Sequence, residues 1–441
     1  MRELWLDSSD GFNPDSTADY LPEPQLRDLQ RRRLRSVVGW AFRKVALFEE
    51  RMEVHDVKPH NIRSLEDIQR LPFTQRADLR ESYPYGMFAV PIDQIVRLHA
   101  SSDTGSKPIA VAYTPEDMQL WSGLMLRTFA ACGLHRGDII QNAYGYGMSS
   151  GGLGANYGAE ALGATVIPAS GNNTDRQIML MQDFGVTAVC ATPSYFLHLL
   201  DRAEEMGLSL RDLPLRAGVF GGEHWTDPMR EHIEEAAGIE AFDIYGLSEI
   251  IGPGVASECE CRDGLHLFED HFYPEIIDPE TGKTLPEGEE GELVLTTLTR
   301  RAMPLIRYRT HEVTRLLTGS CECGRSLRRI QRICRRTDDM LTVGGVHLFP
   351  SQVESALLQV EGTLPHYRII LTRQEGLEEM EVQVEVTRDV FSDKIRTMES
   401  LERRLGRAVE NATGVRANIR LVQPQTLERS LGRAERVVDK R

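Results

Sequence analysis

Serine, threonine, glycine and one lysine crowd the stretch His99-Ala-Ser101-Ser102-Asp103-Thr104-Gly105-Ser106-Lys107-Pro108. In such a loop, backbone N–H groups and hydroxyls can wrap phosphate oxygens, and Lys107 adds a mobile positive charge. The segment is not a Walker A loop, because the G-x-x-x-x-G-K spacing is missing. Taken alone it is equally a surface turn. Four further blocks follow. Asp243-Ile-Tyr245-Gly246-Leu-Ser248-Glu249 sets an aromatic ring beside a glycine, which suits stacking on a purine with close backbone approach. Ser248 and Glu249 then offer oxygen to phosphates and to Mg²⁺, a hard cation. Tyr308-Arg-Thr-His-Glu312 offers a carboxylate to ribose hydroxyls, Arg336-Thr-Asp338-Asp339 places an arginine before a hinge, and Gly432-Arg433-Ala-Glu-Arg436 brings cations near the C-terminus. Each block has a bland counterpart: a capped turn, a surface charge pair, a solvated tail. Their joint occurrence in this order favours nucleotide chemistry.

Cys259-x-Cys261, His266 and Cys321-x-Cys323 form a second constellation. Zinc takes four N/S ligands in a tetrahedron. The C-x-C spacing is tighter than usual, and reduced thiols at a turn are the competing reading. Seven cysteines in a chain that starts without an apolar leader predict reduced thiols and a cytoplasmic location.

Strand–helix alternation supplies the frame that must hold these groups. Thr114-Pro-Glu-Asp117 opens a helix with a threonine cap, an early proline and a third-position carboxylate. Strands are expected at 138–143, 165–168, 186–191, 217–220 and 241–245, with helices between them, including one from Thr174 as its cap to a stop at Gly185. Repeated units of this length predict a parallel sheet with helices on both faces, and ligands at the carboxyl ends of its strands. Gly221–Trp225 and Gly246–Glu249 fall at such ends. After residue 264 a smaller β unit is expected, with strands at 292–297 and 313–317. A new α/β pattern begins at Asp338, giving a division into residues 1–337 and 338–441.

The chain has 441 residues, 41 % hydrophobic, and a net charge of −15. That length suits two or three domains. The acidity argues against nonspecific nucleic-acid binding and against an anionic membrane surface. No run of about 18 apolar residues predicts a membrane span. The basic clusters Arg31–Arg33 and Arg328–Arg336 read as solvated faces.

The order of the blocks resembles the adenylate-forming superfamily, and within it the phenylacetate–CoA ligases. The resemblance runs through Asn142-Ala-Tyr144-Gly-Tyr146-Gly147, Gly151-Gly-Leu-Gly154, Asp270-His-Phe-Tyr-Pro-Glu-Ile-Ile277, Arg336-Thr-Asp-Asp-Met-Leu341, Phe349-Pro-Ser-Gln-Val-Glu354 and Arg436-Val-Val-Asp-Lys-Arg441. It implies a large N-terminal α/β domain with a small β unit, and a small mobile α+β C-terminal domain. It implies a ligase that uses ATP and Mg²⁺ to turn an aryl or arylacetic carboxylic acid into an acyl-adenylate, then passes the acyl group to CoA. Transfer to an amine or carrier protein, or a nucleotide-binding protein without catalysis, are the alternatives. By resemblance, Ser101–Ser106 and Lys107 hold phosphates; Glu223, His224, Tyr245 and Gly246 line the adenine site. Ser248 and Glu249 serve the phosphates and Mg²⁺, Glu312 the ribose, and Arg336 the ribose or α-phosphate. Asp338 is the pivot, and Tyr144, Tyr146, Gly147, Ser149, Gly151 and Asn156 border the acyl group. Cys259, His266, Cys321 and Cys323 are the zinc set implied, with Cys261 extra, and the family implies a homodimer. The chain departs from the family pattern at Asp103, at Gly105-Ser106, at Glu312 and at Arg433, which stands in place of the catalytic lysine. Asn156 in place of histidine, with Ser149-Ser150, predicts a different acyl group.

Overall fold

The computed structural model describes residues 13–100, 107–148, 150–171, 173–374, 377–387, 390, 395–428 and 435–441. Its centre is an eight-stranded sheet. From one edge the strands run Arg329–Ile330, Leu265–Leu267, Gly252–Ser257, Glu240–Leu247, Ala217–Phe220, Ala188–Ala191, Ile139–Asn142 and Thr165–Ile167. The last five are mutually parallel and the first three join antiparallel. Side chains alternate strictly along the inner strands, as strand geometry requires. Ala188 and Cys190 enter one core, with the helices Pro115–Ala131 and Gly151–Leu162. Val189 and Ala191 enter the other, with the helices Thr174–Phe184, Pro193–Glu205 and Asp227–Ala237.

Local chemistry explains the boundaries. Thr114 and Asp117 form a reciprocal capping box at the start of Pro115–Ala131. Thr174 does not cap its helix. Asn173 does, from a left-handed backbone (φ 58°), accepting the Arg176 N–H. Asn reaches back to the first turn from that conformation at low steric cost. Gly246 lies where a Cβ would sit 2.0 Å from the Gly252 carbonyl oxygen, so only glycine lets these strands meet.

A second, antiparallel sheet of four strands holds Phe272–Ile277, Gly291–Thr297, Tyr308–Thr314 and Arg335–Arg336. The third strand starts at Tyr308 and ends at Thr314, rather than covering 313–317. Its register slips opposite Glu292 and Val294, where His311 takes φ 62°. Bulges of this kind redirect side chains near functional sites, and here Glu312 comes to face Arg336 directly across the ladder.

Beyond Asp339 the chain builds a hairpin, Leu341–Val343 with Val346–Leu348, and a four-stranded sheet ordered Asn418–Val422, Leu377–Val386, Thr363–Gln374, Val437–Asp439. The helices Pro350–Leu358 and Ile395–Thr413 accompany it, and its apolar core, from Val343 to Leu421, is separate from the other two. We call this unit the lid and the rest the body. Among the described residues no helix is long and apolar enough to cross a membrane.

Candidate active site and candidate metal centre

Glu223, His224, Tyr245, Gly246, Glu312 and Arg336, separated by up to 113 residues, line one cavity of about 120 Å³. It opens where the parallel strands Ala217–Phe220 and Glu240–Leu247 end. Glu312 is 3 % exposed. Its Oε2 lies 2.7 Å from His224 Nε2, and its Oε1 accepts from Arg336 Nη1 at 3.0 Å. Arg336 also grips Asp338 with two bonds, Nε to Oδ1 at 2.7 Å and Nη2 to Oδ2 at 2.9 Å. Burial works against the Arg336 charge, but Asp338 and Glu312 more than restore it, so the guanidinium is a permanent cation. A carboxylate offers about four acceptor positions, so Glu312 keeps room for hydroxyl donors after both bonds. Glu223 Oε1 accepts the Ser194 N–H at 2.7 Å, at the positive end of the helix Pro193–Glu205.

The floor beneath is densely bonded. Trp225 is fully buried, and its Nε1 donates to Asp243 at 3.0 Å. The guanidinium groups of Arg230 and Arg332 each lie 5.1 Å from the Trp225 ring, and both pair with Glu258. Burial, with Glu258 close by, pushes the Asp243 carboxyl up to about 6 despite Arg332. Arg328 and Arg329 are likewise drawn into ion pairs, with Glu269 and Asp263. The 328–336 cluster is therefore largely interior rather than a solvated face. Arg33, in the other basic cluster, bonds the Asp270 carbonyl.

Glu249 is 7 % exposed, and Arg76 Nε stands 3.7 Å from its Oε1. Ser248 shares a 2.9 Å hydroxyl contact with Ser150, the residue before the helix Gly151–Leu162. The residues expected at the acyl group, Tyr144, Tyr146, Gly147, Gly151 and Asn156, are not among those that line this cavity. Tyr144 donates to the Val219 carbonyl at 3.3 Å. Tyr146 Oη accepts from Asn142 at 2.8 Å and donates to Asn156 Oδ1 at 3.1 Å, and Asn156 holds Glu160 at 2.9 Å. Burial pushes the Tyr146 hydroxyl up to about 12. Gly147 has φ 126°, and a Cβ there would meet open space. Gly151 sits 3.8 Å from the Tyr144 side chain by the same measure. Lys107 is exposed, three residues before the strand Ala110–Tyr113. Ser101, Ser102, Asp103, Thr104, Gly105, Ser106, Ser149 and Arg433 lie outside the described residues.

Sequence reasoning missed the groups that join body to lid: Ser194, Thr226, Glu354 and Arg436, which bond one another across the boundary. They belong to separate segments, so no spacing ties them together. The only signal was that Glu354 and Arg436 fall in stretches that carried the family resemblance.

Cys259, His266, Cys321 and Cys323 converge with every donor atom within 4.8 Å of the others, all four buried. Cys259 Sγ to Cys321 Sγ is 3.6 Å, and Cys323 Sγ to His266 Nε2 is 3.4 Å. Zinc bond lengths in a tetrahedron give edges of about 3.8 Å for S–S and about 3.5 Å for S–N. His266 Nδ1 is engaged by the Leu327 carbonyl at 3.2 Å, which turns Nε2 toward the thiols. The Cys323 thiol is held well down, first by Cys259 and then by His266. The donor set therefore fits zinc. Cys261 is exposed and outside the group. The Cys323 loop is tied inward: Arg325 and Arg127 share Asp19, and Arg127 also binds Asp270.

The fold and the cavity define an AMP-binding enzyme. Residues 126–298 match the family model of the AMP-binding enzymes, and residues 345–441 that of the AMP-binding enzyme C-terminal domain. A phenylacetate–coenzyme A ligase of Aromatoleum evansii is 45 % identical over 422 residues, 95 % of each chain. The chain belongs to the phenylacetate–coenzyme A ligase family, whose members are AMP-forming acid–thiol ligases. Among solved structures, 2-hydroxyisobutyryl-CoA ligase in the postadenylation state, in complex with R3-HIB-AMP, aligns at TM-score 0.92 and 28 % identity, covering 100 % of this chain and 94 % of that one. The same ligase in the thioesterification state, with 2-HIB-AMP and CoA, aligns at 0.73 over 99 % of this chain and 94 % of that one. The lid of this chain thus sits as in the first of these states.

Proposed function

We propose that the protein activates an aryl or arylacetic acid with ATP and transfers it to CoA. One carboxylate oxygen attacks the α-phosphorus; the α–β anhydride bond breaks and pyrophosphate leaves. The CoA sulfur then attacks the acyl carbon, the bond to AMP breaks, and AMP leaves. The observation that carries this reading is the convergence of Glu223, His224, Tyr245, Gly246, Glu312 and Arg336 on one cavity at the strand ends.

In this reading Glu312 takes the ribose hydroxyls, and Arg336 the ribose or the α-phosphate. Tyr245 and Gly246 face the purine, together with Glu223 and His224. Ser101, Ser102, Asp103, Thr104, Gly105, Ser106 and Lys107 hold the phosphates. Arg433 supplies the cation between carboxylate and α-phosphate; its planar fork commits to bidentate pairing where a lysine would be a point charge. Glu249, with Ser248 beside it, would hold Mg²⁺, whose chemistry is to neutralise phosphate charge. Tyr144, Tyr146, Gly147, Ser149, Gly151 and Asn156 border the acyl group, and the Tyr146–Asn156 chain supports a polar substituent on it. The division into residues 1–337 and 338–441, with Asp338 as pivot, lets the two steps use two lid positions. Zn²⁺ on Cys259, His266, Cys321 and Cys323 is structural, since all four positions of a tetrahedron are taken.

The test is product analysis with Mg·ATP, a panel of aryl acids, and CoA or hydroxylamine as acceptor. Acyl-CoA and AMP in equal amounts support the reading. AMP with acyl transfer to amine alone would move the acceptor away from CoA.

A further inference from the structure

We infer that Arg436 is a positioning residue for the adenylating step, and that it works through a buried ion pair whose outer bonds exist in only one lid position. The inference rests on the ligase reading above. Arg436 lies at the rim of a cavity of about 600 Å³ between body and lid, which Glu223, His224, Asp338, Glu354 and Tyr367 also line. Its guanidinium stands 4.5 Å over the Tyr367 ring and 3.3 Å from Glu354 Oε2. Glu354 is 3 % exposed, and the Arg436 side chain 14 %. Tyr367 in turn donates to the Pro350 carbonyl at 3.2 Å. All these groups belong to the lid and travel together.

Two further bonds cross to the body. Arg436 Nη2 donates to Ser194 Oγ at 3.3 Å, and Thr226 Oγ1 donates to Glu354 Oε1 at 2.8 Å. Thr226 is the N-cap of the helix Asp227–Ala237, yet its side chain makes no capping bond. An N-cap threonine ordinarily accepts an N–H of the first turn. Here the hydroxyl faces the lid instead and donates to Glu354 across the boundary. Ser194 donates its own N–H to Glu223 at 2.7 Å, so Arg436 connects through Ser194 to a residue of the nucleotide cavity.

These bonds hold the lid in the position it shares with the relative in the postadenylation state, so losing them disfavours that position.

The body-side variants Thr226→Val and Ser194→Ala leave the Glu354–Arg436 pair intact, so no buried charge is orphaned. Two rates are read separately: acid-dependent exchange of pyrophosphate into ATP, and thioester formation from preformed acyl-adenylate and CoA. The double variant is expected to lose roughly tenfold in exchange kcat, the scale of lost buried hydrogen bonds to charged groups. Its thioester rate should stay within about twofold, a split that general loss of structure would not produce. Thr226→Ser, which keeps the hydroxyl, should restore exchange. Arg436→Lys, which keeps the charge and loses the fork, should show the same split. Equal losses in both rates, or no loss in exchange, would overturn the assignment alone. A wild-type protein that exchanges with no acid would overturn the ligase reading and this assignment with it.

Discussion

The strand Gly252–Ser257 begins beside Gly246 and ends two residues before Cys259, so one strand leads from the neighbourhood of the candidate cavity to the Cys/His cluster. The two regions are built differently. The cluster is closed: four buried donors drawn from one unit, with the Asp19–Arg127–Asp270–Arg325 network packed behind it. The cavity is not closed in this way, and its charges are satisfied in pairs, Glu312 with His224 and Arg336, Arg336 with Asp338 at the boundary to the lid. A closed set of ligands adds to stability and changes little during turnover. A site shared between two units adds rate when the units are correctly placed. Damage to the first should therefore appear in melting, and damage to the second in kinetics.

Removing the proposed zinc should have the largest effect. Structural zinc contributes many kcal/mol in small domains. Cys321→Ser or a strong chelator should lower the melting temperature by about 10 °C, with ATP affinity of the folded fraction unchanged. Metal analysis finding no zinc, or a melt unmoved by chelation, would break the comparison at its first term.

Asp270→Asn comes next, at about 3–5 kcal/mol, because Arg127 loses a partner inside the protein. This site also sets an acid limit. Burial alone would raise the Asp270 carboxyl, but Arg127 and then His271 hold it well below the ordinary carboxylate range. The folded value thus lies under the unfolded value of about 4. The unfolded chain binds the extra proton first, so the contribution is complete above about pH 5 and is lost as pH falls through 4 and below. Denaturation midpoints against pH should show a shallower acid limb in Asp270→Asn than in wild type; parallel limbs would contradict this.

Glu312→Gln should reduce acid-dependent exchange by about 100-fold, equivalent to about 2.7 kcal/mol, with a smaller shift in melting than either change above. The reverse ranking would mean that the cavity carries structure rather than chemistry. Tyr146→Phe should have the smallest effect. It removes the bond to Asn156, and KM for the acid should rise several-fold, about 1 kcal/mol, while KM for ATP stays constant.

Where a structure depends on neighbours in the chain, the sequence was legible. The Thr114–Asp117 capping box, the glycine stops at Gly163 and Gly185 and the alternation in 188–191 are local, and each determines its element. The cavity residues were legible only because their order resembles a known family. The strand Tyr308–Thr314 was placed five residues late because its bulge interrupts the period of two. The arginines of 328–336 read as solvated because their partners Asp243, Glu258, Asp263 and Glu269 lie far away in sequence. The lid bonds of Thr226 and Ser194 were hidden for the same reason, since a hydroxyl's partner across a boundary leaves no periodic trace.

The measurement that bears most directly on the central claim is exchange of labelled pyrophosphate into ATP, with Mg²⁺ and a panel of aryl and arylacetic acids. The account predicts exchange that requires an acid, that is lost in Glu312→Gln, and that proceeds with arginine at position 433. Protein that binds ATP yet exchanges with none of the acids would contradict it.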